Sequence, residues 1–202
     1  MKNLLLAALL ACGVTAAAQD YKKYSFGAGA ALNISNIRGH VDEYNSTGSF
    51  SPSLFMEARL YRKLYLHIAV SYADMGGKYK PRREENDPFI EREAKLKYIA
   101  IPVKARLYVE ENVFFELGPQ VSFLVGDNVT ETITEGDVTL SQPSNLKARE
   151  FDLGPTLSVG WRFKPDWAVQ INMSRGSFNT FVNDGPAKVY NTNVQLLLNY
   201  YF

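Results

Sequence analysis

Apolar and polar side chains alternate with period two in eight stretches of this chain, and the last stretch runs to residue 202. Successive side chains of a β-strand point to opposite faces, so each stretch predicts a strand with one apolar and one polar face. In the last stretch the apolar face carries Thr192, Val194, Leu196, Leu198, Tyr200 and Phe202, and the polar face carries Asn191, Asn193, Gln195, Asn199 and Tyr201. A strand with these two faces is typical of a closed sheet surrounded by lipid, where all backbone groups pair between strands.

The eight predicted strands and their connections define the fold class. The strands are expected near residues 24–35, 51–60, 64–72, 96–108, 113–125, 151–163, 167–174 and 189–202. Short turns alternate with long polar connections near residues 36–50, 75–94, 126–148 and 176–188. This asymmetry predicts an all-β protein, an eight-stranded antiparallel up-and-down transmembrane β-barrel whose short turns and termini face the periplasm. Leu96 interrupts the pattern of its strand and suggests a β-bulge there.

A soluble barrel or sandwich is the competing interpretation of the same strands. It would place bulky apolar side chains inside the closed sheet. Here one face carries Leu, Ile, Val and Phe, whereas the face that must turn inward carries Gly, Ser, Asn and charged residues. The pattern therefore favours a barrel that is apolar on its outside and spans the bacterial outer membrane.

The first 18 residues resemble a secretory signal peptide, with Lys2, a short apolar run and small residues at 16–18. We expect cleavage after Ala18, which leaves residues 19–202 as one barrel domain. The alternative is a lipoprotein, in which Cys12 would become the acylated N-terminus after an unusually short apolar run. Cys12 is the only cysteine, so the mature barrel would have no disulfide.

Charge and aromatic content agree with a membrane setting. The full chain has 22 Lys and Arg against 21 Asp and Glu, and loss of Lys2 with the leader makes the mature formal charge zero. Nothing in this balance suggests binding to nucleic acid. Tyr and Phe number 12 each, and Trp161, Phe163 and Trp167 flank one short turn, where they would anchor the periplasmic interface.

Charged residues of both signs lie on the inward faces of the predicted strands. They are Glu57, Glu116 and Asp152 against Arg59, Lys104, Arg106 and Arg162, with His67 nearby. Eight strands enclose an interior that side chains can fill, so the simplest interpretation is a plug of paired charges and amides. A proton relay or a narrow pore is the sharper alternative, and it requires unpaired groups or a continuous water path.

Catalytic, cofactor and metal sites are not indicated. His67 would face the interior and His40 has no Ser or Asp partner at motif spacing, so neither suggests a hydrolase. The acidic residues of the third long connection, Asp127, Glu131, Glu135 and Asp137, lie too far apart for a tight calcium loop. The second long connection mixes basic and acidic residues, and it could contact lipopolysaccharide phosphates or a partner protein.

Five segments together resemble the PorT-type family of small outer-membrane β-barrel proteins. They are GAGAALNISNI (Gly27 to Ile37), LKYIAIPVKARL (Leu96 to Leu107), FFELGPQVSFLV (Phe114 to Val125), FDLGPTLSVGWRF (Phe151 to Phe163) and the terminal strand. The resemblance covers the whole mature chain and implies an eight-stranded barrel. The namesake of the family is associated with type IX secretion and gliding. No catalytic or ligand residue carries over.

These observations together predict a non-enzymatic outer-membrane β-barrel with a plugged interior and a structural or accessory role. The expected partners are outer-membrane lipid, lipopolysaccharide and proteins that meet the four outer loops. A narrow channel or transporter is the alternative, and a lipid-modifying enzyme is a third class. The C-terminal Phe202 resembles the terminal aromatic that the outer-membrane insertion machinery reads.

Overall fold

The computed structural model describes residues 23–39, 44–79, 89–135, 138–182 and 188–202. The expected signal peptide, Cys12, His40 and Asp137 lie outside these residues. The described residues form ten strands: β1 (Tyr24–Gly39), β2 (Tyr44–Asn45), β3 (Thr47–Tyr61), β4 (Leu64–Tyr79), β5 (Phe89–Tyr108), β6 (Val113–Glu135), β7 (Val138–Pro143), β8 (Phe151–Lys164), β9 (Trp167–Arg175) and β10 (Val189–Tyr201).

Eight of these strands form a closed antiparallel barrel. Neighbours along the wall are β1, β3, β4, β5, β6, β8, β9 and β10, and β10 pairs back onto β1. The two remaining strands pair at the long-connection end, β2 with β4 and β7 with β6. The predicted fold class, an eight-stranded up-and-down barrel, is confirmed. Within the described residues no helix has the length and apolar character needed to cross a membrane.

The two faces of the wall follow the alternation of the sequence. Outward residues are exposed large hydrophobic side chains such as Leu54 and Leu117, which are 63% and 62% exposed. Inward neighbours are buried, including Glu57 and Glu116. A protein of this size in water would bury its Leu and Phe side chains, so the continuous apolar exterior requires lipid around it.

The wall strands are longer than the sequence pattern predicts at the long-connection end, called the outer end below. β5 has 20 residues and β6 has 23, and both continue through segments that were expected to be loops. With β7, and with the outer residues of β4 that pair with β5, these extensions continue the sheet beyond the apolar part of the wall. The backbones of these extensions still pair, but the two faces of each strand do not differ in hydrophobicity. The period-two pattern therefore does not detect them.

The predicted irregularity near Leu96 is present, but its location differs in detail. The β5–β6 register shifts between Lys97 and Tyr98, which pair with Gly126 and Leu124. The additional residue is therefore Val125 of β6. Leu96 itself does not break the alternation, because it points inward and is fully buried in an apolar cluster.

Both the short turns and the C-terminus lie at the opposite, inner end of the barrel. The Tyr201 N–H donates to the carbonyl of Asp166 in the third short turn at 2.8 Å, and the Phe202 N–H donates to Phe26 at 2.9 Å. Exposed aromatic rings surround this end, with centroid separations of 4.9 Å for Trp167 and Tyr200 and 5.8 Å for Trp161 and Phe163. This arrangement matches the aromatic girdle of a membrane interface.

Candidate functional site

The inner half of the barrel interior contains a cluster of charged and polar side chains, called the charged network below. Strand register brings its members together, since Glu57 pairs with His67, His67 with Lys104, and Arg106 with Glu116. Each of these residues is inward because it shares the parity of the small and polar positions on its strand. Tyr201 of β10 completes the cluster from the opposite side of the lumen.

Arg106 is the centre of the charged network and is fully buried. Its Nε and Nη2 atoms both lie 2.6 Å from Oε1 of Glu116, and its Nη1 contacts Glu57 and the Tyr201 hydroxyl. The guanidinium also stacks over Phe114, 4.0 Å from the ring centroid. A guanidinium offers five donors in a fixed plane, which suits it to hold two carboxylates and a hydroxyl at once.

Glu116 collects the remaining positive groups. Its Oε1 lies 2.6 Å from Nδ1 of His67, and its Oε2 forms an ion pair with Lys104. Lys104 Nζ also donates to Ser158 Oγ at 2.9 Å. Two carboxylates therefore meet two fixed cations, and the network is neutral when His67 is neutral. This balance is what burial requires, because a lone charge in the interior is strongly disfavoured.

A layer of amide and hydroxyl groups lines one side of the lumen beside the charged network. Asn172 Nδ2 donates to Gln195 Oε1 at 2.9 Å, and Gln195 Nε2 donates to Asn33 Oδ1 at 2.8 Å. Asn172 Oδ1 accepts from Thr156 and Ser158 at 2.8 and 2.7 Å. The layer links β1, β8, β9 and β10 through side chains, in addition to their ladders.

Two small cavities lie within this polar interior. The first, of about 30 Å³, is lined by His67, Lys104, Gln170 and Asn172 among others. His67 Nε2 is buried and has no hydrogen-bond partner among the described residues. The second cavity, of about 20 Å³, lies toward the outer end beside Gln120 and Asp152. Each has room for about one water molecule.

The outer end of the interior is apolar, which the sequence analysis did not anticipate. The cluster contains Ile37, Ala73, Met75, Ala94, Leu96, Tyr98, Ala100, Val129, Ala148, Phe181 and Val189. Ala148 and Phe181 come from two connections and form an isolated bridge there. The sequence feature that points to this cluster is Leu96. It is an apolar residue at an inward position, where the polar inward neighbours make it look like an interruption of the alternation.

Three residues of the predicted interior set lie outside the charged network, although Asp152 is buried inside the barrel as predicted. Arg59 is exposed at the inner rim, where its Nε donates to the carbonyl of Arg62, because the register shifts at this turn. Arg162 is half-buried and contacts the network only through the Tyr201 ring, 3.7 Å from the centroid. Asp152 is at the outer end, where it accepts backbone N–H groups of Ser177 and Phe178 at 3.2 Å.

Among the acidic residues of the third long connection, Glu131 is paired within the outer sheet. Glu131 of β6 bonds to Arg92 at 2.8 Å and to Ser144 at 2.9 Å. Among the described residues no group of three or more His, Cys, Asp or Glu side chains could hold a metal ion.

Comparison with known proteins adds the family. Residues 17–182 match the family model described as outer membrane protein beta-barrel domain. The chain belongs to this family. Membership, together with the apolar exterior, places the protein in the bacterial outer membrane. Comparison with curated proteins gave no significant match.

Similar solved structures include small barrels from three bacterial sources. Neisserial surface protein A is 15% identical, with 90% of this chain and 100% of that chain covered and a TM-score of 0.49. Ail, the attachment invasion locus protein of Yersinia pestis, is 11% identical, covering 89% and 99% with a TM-score of 0.48. OprG of Pseudomonas aeruginosa is 10% identical, covering 89% and 95% with a TM-score of 0.46.

Proposed function

We propose that this protein is a non-enzymatic outer-membrane barrel with a plugged interior, which serves a structural or accessory role through its outer end. The observation that carries the proposal is the buried bridge across the lumen, in which Arg106 of β5 holds Glu57 and Glu116 and reaches the Tyr201 hydroxyl of β10. A side chain in this position obstructs the axis of an eight-stranded barrel, whose interior is only wide enough for side chains.

The layers beside this bridge support the plug. The amide layer and the outer apolar cluster lie along the same axis, and the cavities near the polar groups are only about 30 and 20 Å³. Steady ion flow needs a continuous water path, and cavities of this size hold about one water each.

Recordings in planar lipid bilayers test the plug against the channel alternative. The mature barrel should insert without steady conductance, since the charged network remains intact in lipid. An Arg59→Ala variant serves as the control because this exposed arginine lies outside the network. Steady, reproducible conductance in the parent protein would contradict the plug and favour a narrow channel.

The protruding sheet of β5, β6 and β7 supports an interaction role. Leu140 in this sheet is 58% exposed although it lies in the outer extension of the barrel. This side chain is available for contact with another protein beyond the lipid band. The sequence resemblance to PorT-type barrels favours an accessory role in secretion.

Site-specific photocrosslinking in intact outer membrane tests this role. A photoreactive residue at Leu140 should capture a discrete protein, whereas one at Leu117 should capture lipid, because Leu117 lies in the apolar wall. A capture pattern that is the same at both positions would contradict an outer-end interaction surface. Identification of the captured protein would decide whether the partner belongs to a secretion apparatus.

The non-enzymatic part of the proposal rests on the position of the interior histidine. His67 is buried, its Nδ1 is bound by Glu116, and it lies within the wall of the barrel rather than at an open surface. Lipid A from cells with and without the gene should therefore be identical by mass spectrometry. A mass shift that depends on the gene would favour a lipid-modifying enzyme instead.

A further inference from the structure

The outer half of the barrel wall contains a gap between β3 and β4. The ladder between these strands ends at Ser53 and Ser71, and the next pair outward is Asn45 of β2 with Lys78. Within the described strands no ladder pair joins residues 47–52 to residues 72–77. Each edge remains paired on its other side, β3 with β1 and β4 with β5.

Side chains rather than backbone pairs hold the two edges of this gap. Ser49 Oγ donates to the carbonyl of Asp74 at 2.9 Å. Ser35 Oγ accepts from the Gly76 N–H at 3.2 Å and lies 3.3 Å from the Gly76 carbonyl. These bonds draw β4 toward β1 and leave a groove of about 500 Å³ along the gap.

The groove is polar and carries charges of both signs. Its lining includes Asp74, Lys78, Glu93, Lys95 and Lys97, together with Gly48. Glu93 bridges two of the lysines, at 3.2 Å from Lys78 and 3.4 Å from Lys95. Burial would raise the pKa of Glu93, but the hydrogen bond and charge of Lys78, with those of Lys95, lower it overall.

One acceptor in the groove lacks a partner. Oδ1 of Asp74 is buried and has no hydrogen-bond partner among the described residues. Buried polar atoms are normally satisfied, and Asp74 also lines the groove, so its carboxylate offers a hydrogen-bond acceptor to a bound molecule. Three lysines near such an acceptor would suit a ligand with both anionic and hydroxyl or amide groups.

The groove lies where the apolar wall gives way to charge. On the lipid side Phe50 is 58% exposed, and Tyr72 and Ile99 are paired on β4 and β5. The next outward positions of these three strands toward the outer end are Gly48, Asp74 and Lys97. This transition marks the headgroup level of the outer leaflet. In an outer membrane that leaflet is lipopolysaccharide, whose anchor is a phosphorylated glucosamine disaccharide.

We infer that the groove between β3 and β4 binds the phosphorylated glucosamine headgroup of lipopolysaccharide. The lysines receive a phosphate, and Asp74 Oδ1 accepts a hydroxyl or amide hydrogen of the sugar. Lysine is a common phosphate ligand, and its bonds to phosphate are stronger than neutral hydrogen bonds. The inference rests on the outer-membrane location and not on the plugged lumen. A conducting barrel would therefore contradict the plug without contradicting lipid binding, and the reverse also holds.

The test measures binding of purified lipid A to the mature barrel in detergent by native mass spectrometry. Lys97→Ala should weaken binding roughly tenfold, the effect expected for one lost charge-assisted hydrogen bond. Lys147→Ala is the matched control, since it removes the same charge from an exposed outer connection that does not line the groove. Lipid A from which the phosphates have been removed should bind the parent at least tenfold more weakly.

A steric variant tests the groove independently of charge. Gly48 has open space at its Cβ position, where the nearest atom is the Asn33 carbonyl oxygen at 3.9 Å. Gly48→Trp should therefore fill the groove and reduce lipid A binding while the barrel still folds, as shown by faster migration of the unheated protein. Three outcomes would each overturn the inference. Dephosphorylated lipid A could bind as tightly as lipid A, Lys97→Ala and Lys147→Ala could lose equal affinity, or a folded Gly48→Trp could bind lipid A at the parental level.

Discussion

At the residue scale, alternation identified the inward charges but not their partners. Glu57, Lys104, Arg106 and Glu116 were predicted to share the lumen, and all four are buried in one network. Arg59 has the same parity but lies beside a register shift at a turn, which moves it to the rim. Whether a residue is at an odd or even position of its strand decides which face its side chain is on. Its contacts across the lumen depend on strand register and on where the strands end.

Neutralising Glu116 should destabilise the barrel strongly. Glu116→Gln keeps the shape of the side chain but leaves Arg106 and Lys104 undercompensated, at a cost of roughly 3 to 5 kcal/mol in the free energy of unfolding. Arg59→Ala should change this quantity by less than about 0.5 kcal/mol, because Arg59 is an exposed side chain. Urea unfolding in lipid vesicles measures both variants, and parental stability of Glu116→Gln would mean that the network is hydrated.

Gly160 should not tolerate a methyl group. A Cβ at this position would lie 2.2 Å from Cζ of Phe114, the ring on which Arg106 stacks. Gly160→Ala should therefore overpack the network and lower the free energy of unfolding by about 1 to 3 kcal/mol. Gly48→Ala is the control, since its Cβ meets open space, and a loss of the same size in both variants would contradict this explanation.

At the element scale, the apolar wall was predictable and the outer extensions were not. Within the lipid band each outward position is apolar, so period two marks the strand. Beyond the band, β6 continues as Gly126–Glu135 with polar residues on both faces, and backbone pairing alone defines it. The apolar outer cluster was also missed, since inward Leu96 and Tyr98 reverse the pattern of the polar inner half.

The last residue of the chain should matter more for membrane insertion than for stability. Phe202 is 77% exposed, its N–H donates to the carbonyl of Phe26, and its ring centroid lies 5.8 Å from that of Tyr200. Deletion of Phe202 should therefore reduce the amount of barrel in the outer membrane more than it lowers the stability of protein folded in detergent. Phe163→Ala removes an aromatic ring from the same interface and serves as the control in cell fractionation.

Two outcomes would separate an insertion signal from an anchor. Parental levels of the Phe202 deletion in the outer membrane would show that this ring does not direct insertion. Equal losses for the Phe202 deletion and Phe163→Ala would assign both rings to interface anchoring alone.

At the scale of the whole molecule, closure rests on the seam between β1 and β10. Thirteen residue pairs join these strands, from Gly27 with Tyr201 to Gly39 with Val189. An open edge in lipid would leave backbone groups unsatisfied at several kcal/mol each, so the seam is required for a stable membrane form. The sequence anticipated this closure because its first and last strands carry the same apolar outward pattern.

A disulfide across the seam should form in the folded protein. Ala30 and Leu198 are directly opposite on the outward face, so an Ala30→Cys, Leu198→Cys variant should oxidise within one chain. The boiled, oxidised protein should then migrate differently from its reduced form on a denaturing gel. Ala30→Cys with Leu157→Cys is the control pair, since β1 and β8 are not neighbours, and crosslinking of both pairs alike would contradict the closed order.

The seam also sets the order of events during biogenesis. It pairs residues near the beginning of the mature chain with its last residues, and these are among the longest sequence separations that the chain allows. Such pairing gives a high contact order, which slows folding because the largest loop must close before these contacts form. No partly synthesised chain can complete the wall. The wall therefore stays open, with unpaired backbone groups along β1 and β10, until the last strand is available to close it.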